Sequence, residues 1–189
     1  PSPGGKAQIR SALCIEKGEK LIVASIGGGS VGEELLLAAA EAIEILADKD
    51  RLYHLQIFTG PYCSESTTSK LRELKKNYIS VRTFTDRFVN WLAAADLSIS
   101  MAGYNTCMNT VAARVPALMY PFSQNREQRL RISTLWPDGN SVIELTRDDL
   151  TAARLSSLID RQLERGYQEG KIDINGAAAT CKIIEHGFH

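Results

Sequence analysis

Residues 21–32 read Leu-Ile-Val-Ala-Ser-Ile-Gly-Gly-Gly-Ser-Val-Gly and lead directly into Glu-Glu-Leu-Leu-Leu-Ala-Ala-Ala at 33–40. Residues 21–26 form a continuous apolar run with β-branched side chains, which is typical of a strand buried on both faces. Residues 27–32 hold four glycines, and the Leu, Ala and Glu of Glu33–Ala47 predict a helix. A buried strand, a glycine turn and a helix in this order begin a parallel βαβ unit.

Strand-like and helix-like segments alternate along the rest of the chain. Short β-rich segments predict five more strands, at Leu52–Phe58, Ile79–Phe84, Leu97–Met101, Ala117–Tyr120 and Ser141–Leu145. We expect helices at Ser69–Lys76, Phe88–Ala95, Asn105–Arg114, Glu127–Leu135, from Asp148 to Gly166, and near Asn175–His186. The sequence therefore predicts an α/β fold, a Rossmann-like doubly wound parallel sheet of about six strands with helices on both faces and right-handed crossovers.

The composition is that of one globular domain. Of 189 residues, 44% are hydrophobic and 23% are charged, and 22 basic residues balance 22 acidic ones. A neutral chain lacks the basic surface with which proteins bind nucleic acids, so we expect no nucleic-acid partner. No apolar run approaches the ~20 residues that cross a bilayer, so we expect no membrane insertion by this domain.

The cysteines and histidines show no metal-binding pattern. Cys14, Cys63, Cys107 and Cys181 lie far apart, and the three histidines show no ligand spacing with them or with each other. We therefore expect reduced, structural cysteines, a cytoplasmic location, no metal site and no cofactor.

The N-terminal residues Pro-Ser-Pro-Gly-Gly contain neither an initial Met nor a hydrophobic leader. This start is typical of a piece of a longer protein. We therefore expect residues 1–19 to be a linker or N-terminal extension, and residues 20–189 to form the domain with its C-terminal helices.

The loop Gly27–Gly32 is a candidate phosphate site, because doubly wound sheets bind ligands beyond the carboxyl ends of their strands. Glycines let the backbone approach a phosphate, the following helix offers free N–H groups, and the Ser30 hydroxyl adds a donor. The alternative is a strand–helix turn without a ligand. The spacing also fits the dinucleotide fingerprint G-x-G-x-x-G, but the second strand ends in Ile57–Gly60 without the required acid, which disfavours a dehydrogenase.

Two further loops lie where they could contact the same ligand. Met101–Thr106 also opens a helix, so Asn105 and Thr106 either cap that helix or donate to a phosphate. Pro121–Gln128 is rich in hydrogen-bonding side chains, which suit either a solvated turn or a polyhydroxylated ligand. Two glycine-bearing turns on the same edge of one sheet suit a pyrophosphate with a group at each end.

Residues 95–130 carry three motifs that resemble the C-terminal domain of MurG-like glycosyltransferases. They are Ala-Asp-Leu-Ser-Ile-Ser-Met-Ala-Gly-Tyr-Asn-Thr, Val-Pro-Ala-Leu-Met-Tyr-Pro-Phe and Arg-Glu-Gln-Arg-Leu. The resemblance runs from about Lys20 to Leu145 and includes predicted bacterial glycosyltransferases related to the peptidoglycan N-acetylglucosaminyltransferase. It implies the family 28 type of the two-domain GT-B fold, in which this C-terminal half binds a nucleotide-sugar donor in the cleft between two Rossmann-like halves.

The resemblance assigns a part of the donor to each loop. It implies a diphosphate site formed by Gly29, Ser30, Gly32, Gly103, Tyr104, Asn105 and Thr106. It places the nucleobase against Phe84 and Thr85, and the donor sugar against Glu127, Gln128 and Arg129.

Two positions depart from the family pattern. Asn109 stands where the family usually carries a Glu that binds both ribose hydroxyls. An amide can hydrogen-bond a ribose, but it lacks the charge-assisted acceptor pair of a carboxylate. Arg129 stands in place of the second Gln of the usual sugar-contacting pair, which leaves the sugar open.

The implied function is transfer of a sugar from a nucleoside diphosphate sugar, UDP-linked, to an acceptor hydroxyl. No histidine lies in the three loops, so we expect the general base on an acceptor-binding N-terminal domain or subunit, and little transfer by this chain alone. A nucleotide-sugar epimerase or hydrolase, with Glu127 as its candidate acid or base, is one alternative. A non-catalytic nucleotide-sugar-binding subunit, which Asn109 favours, is another. A lipid acceptor would bring the parent protein to the inner face of the membrane.

Overall fold

The computed structural model describes residues 5–28, 30–47, 52–74, 76–122 and 125–168. Within these ranges the strands are β1 (Lys20–Ser25), β2 (Tyr53–Phe58), β3 (Ile79–Arg82), β4 (Leu97–Met101), β5 (Ala117–Tyr120) and β6 (Val142–Glu144). The α-helices are α1 (Gly5–Ala12), α2 (Glu33–Ala47), α3 (Glu65–Glu73), α4 (Phe88–Ala94), α5 (Tyr104–Ala113), α6 (Arg126–Leu135) and α7 (Ala152–Arg165). A short 3₁₀ helix at Arg147–Leu150 precedes α7.

The six strands form one parallel sheet in the order β3-β2-β1-β4-β5-β6. β1 lies at the centre, where Val23 pairs with Gln56 on one side and with Ser98 on the other. The chain winds outward from β1 in one direction and then from β4 in the other. The doubly wound parallel sheet is thereby confirmed, and its switch point lies between β1 and β4.

The β1 side chains show how the sheet is covered on both faces. Ile22 and Ala24 pack into a core shared with α2, α3 and α7. Leu21 and Val23 point the other way, into a core shared with α1 and α4. A third cluster, under α5 and α6, completes the second face. Because both faces of the central strand are buried, the β1 side chains from Leu21 to Ala24 are all apolar rather than alternating between apolar and polar.

The structure corrects two predicted helices. α3 begins at Glu65 rather than at Ser69, because the Ser64 hydroxyl accepts the Thr67 N–H and caps the helix. The single helix expected from Asp148 is instead the 3₁₀ helix followed by α7, with Thr151 in an extended conformation between them. The predicted helix near 175–186 lies outside the described residues.

The segment before β1 contains α1, which packs against α4 through Ile9 and Leu13. Arg10 donates to the carbonyls of Ala94 and Glu19, and pairs with Asp96 at 2.9 Å. That residues 1–19 form a linker or extension stays a prediction. Within them, Gly5–Ala12 is helical, and Arg10 joins this helix to Asp96 and to the Ala94 carbonyl. Among the described helices, none is both long and apolar enough to span a bilayer.

Candidate functional site

Three loops meet at the carboxyl edge of the sheet, around the switch point between β1 and β4. Two cavities lie at this edge, and they are called here the central cavity and the side cavity. The central cavity, of about 280 Å³, is lined by Ile26, Gly27, Gly28, Ser30, Val31, Met101, Gly103, Thr106, Phe122 and Gln128. The side cavity, of about 190 Å³, is lined by Ser25, Gly27, Phe58, Thr83, Phe84, Thr85, Phe88, Asn105, Thr106 and Asn109. Gly27 and Thr106 line both, so the two cavities are neighbours.

The first turn of α5 is open to an anion. Gly103 is the N-cap and provides no side chain, and the first helical turn contains no acidic residue. The first intrahelical hydrogen bond runs from the Cys107 N–H to the Gly103 carbonyl at 3.0 Å. The preceding N–H groups, including those of Asn105 and Thr106, therefore have no partner in the helix and carry its positive end. This arrangement suits a phosphate.

The first turn of α2 is less suited to an anion, although the glycine loop precedes it. Glu33 and Glu34 both lie in this turn. Glu33 accepts hydrogen bonds from the Thr67 hydroxyl and from the N–H and hydroxyl of Ser64. The Thr67 bond, followed by those of Ser64, lowers the pKa of the Glu33 carboxyl. The negative charges offset the positive end of α2, so the first turn of α5 is better suited to an anion than the first turn of α2.

The glycine loop is supported by a turn that follows β2. The Tyr62 N–H donates to the Gly28 carbonyl at 2.9 Å. Gly60 has a φ of +78°, and a Cβ there would lie 2.3 Å from the Gly27 oxygen. Gly32, at a φ of +92°, packs against Met101, whose Sδ would lie 2.6 Å from a Cβ. Gly60 and Gly32 therefore support the loop by packing closely against its neighbours, and neither of them lines the central or the side cavity.

Gln128 is held by hydrogen bonds within its own loop. Its side-chain oxygen accepts the Phe122 N–H at 2.8 Å, and its backbone N–H donates to the side chain of Asn125, the N-cap of α6. The Gln128 side chain thus lies at the edge of the central cavity, and its amide NH₂ donates to none of the described residues.

Residues 23–171 match the glycosyltransferase family 28 C-terminal domain. The chain belongs to this family. It is 27% identical over 182 residues to a UDP-N-acetylglucosamine--N-acetylmuramyl-(pentapeptide) pyrophosphoryl-undecaprenol N-acetylglucosamine transferase of Acetivibrio thermocellus, which covers 93% of this chain and 49% of that protein. It is 23% identical to an uncharacterized glycosyltransferase of Methanosarcina acetivorans over 88% of this chain and 42% of that protein. The chain thus spans about half the length of the curated relatives that it matches.

Solved structures of glycosyltransferases share the fold. MurG of Acinetobacter baumannii superposes with a TM-score of 0.64 at 19% identity, over 82% of this chain and 45% of that chain. The C-terminal CMP-Kdo binding domain of WaaA from the same species superposes with a TM-score of 0.54 at 12% identity, over 85% of this chain and 86% of that chain. The fold of this family 28 C-terminal domain is therefore that of one Rossmann-like half of a GT-B glycosyltransferase, as the sequence motifs imply.

Eight of the thirteen site residues expected from sequence line one or both of the two cavities. Ser30, Gly103, Thr106 and Gln128 line the central cavity, and Phe84, Thr85, Asn105 and Asn109 line the side cavity. Gly32 lies behind the loop, against Met101. Gly29 lies outside the described residues.

The other three expected residues point elsewhere. Tyr104 is 63% exposed and lines a groove between α5 and α6. The Arg131 Cζ lies over its ring, 5.3 Å from the ring centroid. Glu127 lines the same groove and forms an ion pair with Arg131. Arg129 contacts Glu144 at 3.4 Å and faces a different cavity, beyond Phe122.

Among the described residues, neither cavity contains an acidic or a basic side chain. The described residues that line the central and the side cavity are all neutral. His54, in β2, is buried, bonds Ser80, and has its pKa lowered first by that burial. In the described part of the chain, no group of three or more His, Cys, Asp or Glu residues could hold a metal ion. These described linings can therefore hydrogen-bond a ligand, and they contain no carboxylate, imidazole or amine suited to proton transfer.

Proposed function

We propose that this chain is the donor-binding domain of a glycosyltransferase that transfers a sugar from a nucleoside diphosphate sugar, UDP-linked, to an acceptor hydroxyl. The observation that carries the proposal is the pair of neighbouring cavities at the β1/β4 switch point, which meet at the uncapped first turn of α5. The diphosphate would bind at this turn. The base would lie in the side cavity and the sugar beside Gln128.

The side cavity has the composition that a nucleoside requires. Phe58, Phe84 and Phe88 give it apolar walls, while Asn105 and Asn109 place two amides on the same face of α5. Aromatic rings suit the planar base, and amides can hydrogen-bond a ribose. The names of relatives such as the Acetivibrio thermocellus enzyme specify a UDP-linked donor, which supports uracil as the base.

In the proposed reaction, the bond between the sugar's anomeric carbon and the diphosphate oxygen breaks as a bond to the acceptor oxygen forms. Negative charge develops on the leaving diphosphate, and the free N–H groups of α5 would stabilise it. The acceptor proton passes to a general base, which we assign to an acceptor-binding N-terminal domain or subunit because the described lining of the two cavities is neutral. The location in the cytoplasm stays a prediction.

A non-catalytic nucleotide-sugar-binding subunit is the second candidate, and the neutral lining of both cavities is the observation that favours it. An epimerase or hydrolase is disfavoured. Its candidate acid or base, Glu127, is 74% exposed, is paired with Arg131 and lines the α5–α6 groove rather than the central cavity.

A thermal-shift panel with UDP, UDP-sugars, GDP, dTDP and NAD tests the proposal. A ligand at a hundred times its Kd adds about 2.7 kcal/mol of stability, and each kcal/mol raises the Tm of a domain of this size by roughly 2–4 °C. We expect a clear shift with UDP or its sugars and none with NAD.

Thr106→Val, which removes a hydroxyl from both cavities, should reduce the UDP shift. Thr134→Val is the matched control, because Thr134 lies on α6 in the α5–α6 groove. A shift with NAD, or none with any nucleotide, would contradict the proposal.

A further inference from the structure

A third cavity, named here the outer cavity, lies at the carboxyl ends of β5 and β6 and has a volume of about 630 Å³. Phe122 lines both the outer and the central cavity, so the two are neighbours. The volume lies within the roughly 300–1,000 Å³ typical of small-molecule sites. Of the described residues that the sequence motifs assign to the donor, Arg129 alone lines this cavity, and it is paired with Glu144.

The outer cavity combines an apolar floor with a polar rim. Pro121 and Leu145 are buried, and Tyr120 is half-buried, so the floor is apolar and partly aromatic. The rim carries Glu34 from the first turn of α2 and Arg147 from the 3₁₀ helix. A carboxylate accepts hydrogen bonds and a guanidinium donates them, so together they match hydroxyl groups, which do both.

The charges of the rim favour a neutral ligand. Arg129, the third charged residue of the lining, already contacts Glu144 at 3.4 Å. Within the described ranges, neither Arg147 nor Glu34 forms an ion pair or a side-chain hydrogen bond. One free positive and one free negative side chain leave no net charge to attract a phosphate or a carboxylate.

We infer that the outer cavity is a subsite for a neutral saccharide unit of the acceptor. The inference rests on the proposed function, which places the donor sugar beside Gln128 on the other side of Phe122. An acceptor hydroxyl must reach the anomeric carbon of that sugar, and the outer cavity is the space next to it. A pyranose ring presents an apolar face to the floor and its hydroxyl edge to Glu34 and Arg147.

The test uses the ¹⁵N-labelled chain saturated with UDP and titrated with neutral methyl glycosides of the gluco, galacto and manno series. Nuclear magnetic resonance of the arginine Nε–H groups reports on Arg147 and Arg129 directly. We expect at least one glycoside to shift the Arg147 resonance while UDP stays bound. Arg147→Ala and Glu34→Gln should each weaken that glycoside roughly tenfold, which corresponds to about 1.4 kcal/mol, and leave UDP affinity unchanged.

Arg165→Ala and Glu164→Gln, exposed at the end of α7, are the matched controls and should change neither affinity. The inference is overturned if no glycoside shifts Arg147, if the two variants bind it like the controls, or if methyl glucuronide binds more tightly than the neutral glycosides. Displacement of the glycoside by a UDP-sugar but not by UDP would assign the cavity to the donor's own sugar and also overturn it. If UDP binds but no glycoside does, only this inference fails. If UDP does not bind, the proposed function fails with it, so the two failures can be distinguished.

Discussion

Replacing Gly60 by Ala tests whether the turn after β2 holds the glycine loop in its binding conformation. The added Cβ would lie 2.3 Å from the Gly27 oxygen and 2.6 Å from the Gly28 carbonyl carbon. Real Cβ atoms essentially never approach closer than 3.0 Å, so the loop would have to move by about 0.7 Å. Because the clashing atoms belong to the backbone, no side-chain rotation can relieve the contact, and the whole loop is displaced.

Gly60→Ala should therefore carry two costs. A left-handed backbone costs a non-glycine residue roughly 1–2 kcal/mol, and Gly60 has a φ of +78°. The displaced loop should also weaken UDP binding by roughly tenfold or more, since errors near 1 Å in the position of binding groups reduce their effect strongly. Urea unfolding measures the first cost, and titration calorimetry with UDP measures the second.

Gly139→Ala provides the control for backbone strain. Gly139 has a φ of +63°, but a Cβ there would meet no atom within 4 Å. This variant should lose about 1 kcal/mol of stability and bind UDP like the unaltered chain. If Gly60→Ala also binds UDP normally, the glycine loop is not positioned by Gly60 and our account of the turn is wrong.

Three further outcomes follow from the site and its surroundings. Asn109→Glu should raise UDP affinity in calorimetry roughly tenfold, since a hydrogen bond to a charged acceptor is worth about 1.5–3 kcal/mol, and an unchanged affinity would mean that position 109 does not face the ribose. The pKa of Glu33 lies below its ordinary value of 4.5, so its contribution to unfolding stability is full above that pH and is lost as the pH falls through the lower, folded-state pKa. Glu33→Gln should therefore flatten the acid limb of stability measured by urea unfolding, and an unchanged slope would contradict the Glu33 hydrogen bonds. Near neutral pH, an alkylating reagent should label exposed Cys14 and spare Cys107, whose pKa burial raises to about 11, and peptide mass spectrometry that finds Cys107 labelled in the native chain would contradict its burial.

Three elements with a strong apolar pattern could be predicted from sequence to the residue, whereas β1 begins and ends one residue before the predicted run 21–26. The bounds of α2, β4 and β5 are those expected from their runs of apolar side chains. α3 was placed too late because its first turn, Glu65–Thr68, is polar and its start depends on the Ser64 cap. Periodicity reports burial, whereas a cap depends on one hydrogen bond that leaves little trace in composition.

The meeting of the loops could also be predicted, because the carboxyl ends of parallel strands lie on one edge of a sheet. The direction of single side chains could not. Glu127 and Gln128 are consecutive on α6 and are turned about 100° apart, so only Gln128 faces the central cavity. The support from Gly60 and Met101 was missed because it depends on contacts between distant segments, although the glycine after β2 was a signal for close backbone approach.

The packing of α1 determines where the chain can be shortened. Arg10 joins α1 to the Ala94 carbonyl and to Asp96, whose carboxylate also accepts the Leu21 N–H at the start of the central strand. A truncation to residue 20 would remove Ile9 and Leu13 from the buried cluster that contains Trp91. The uncovered apolar face would then be a site for aggregation. Limited proteolysis should accordingly spare α1, and a shortened chain that begins at Lys20 should be less soluble than one that retains the helix.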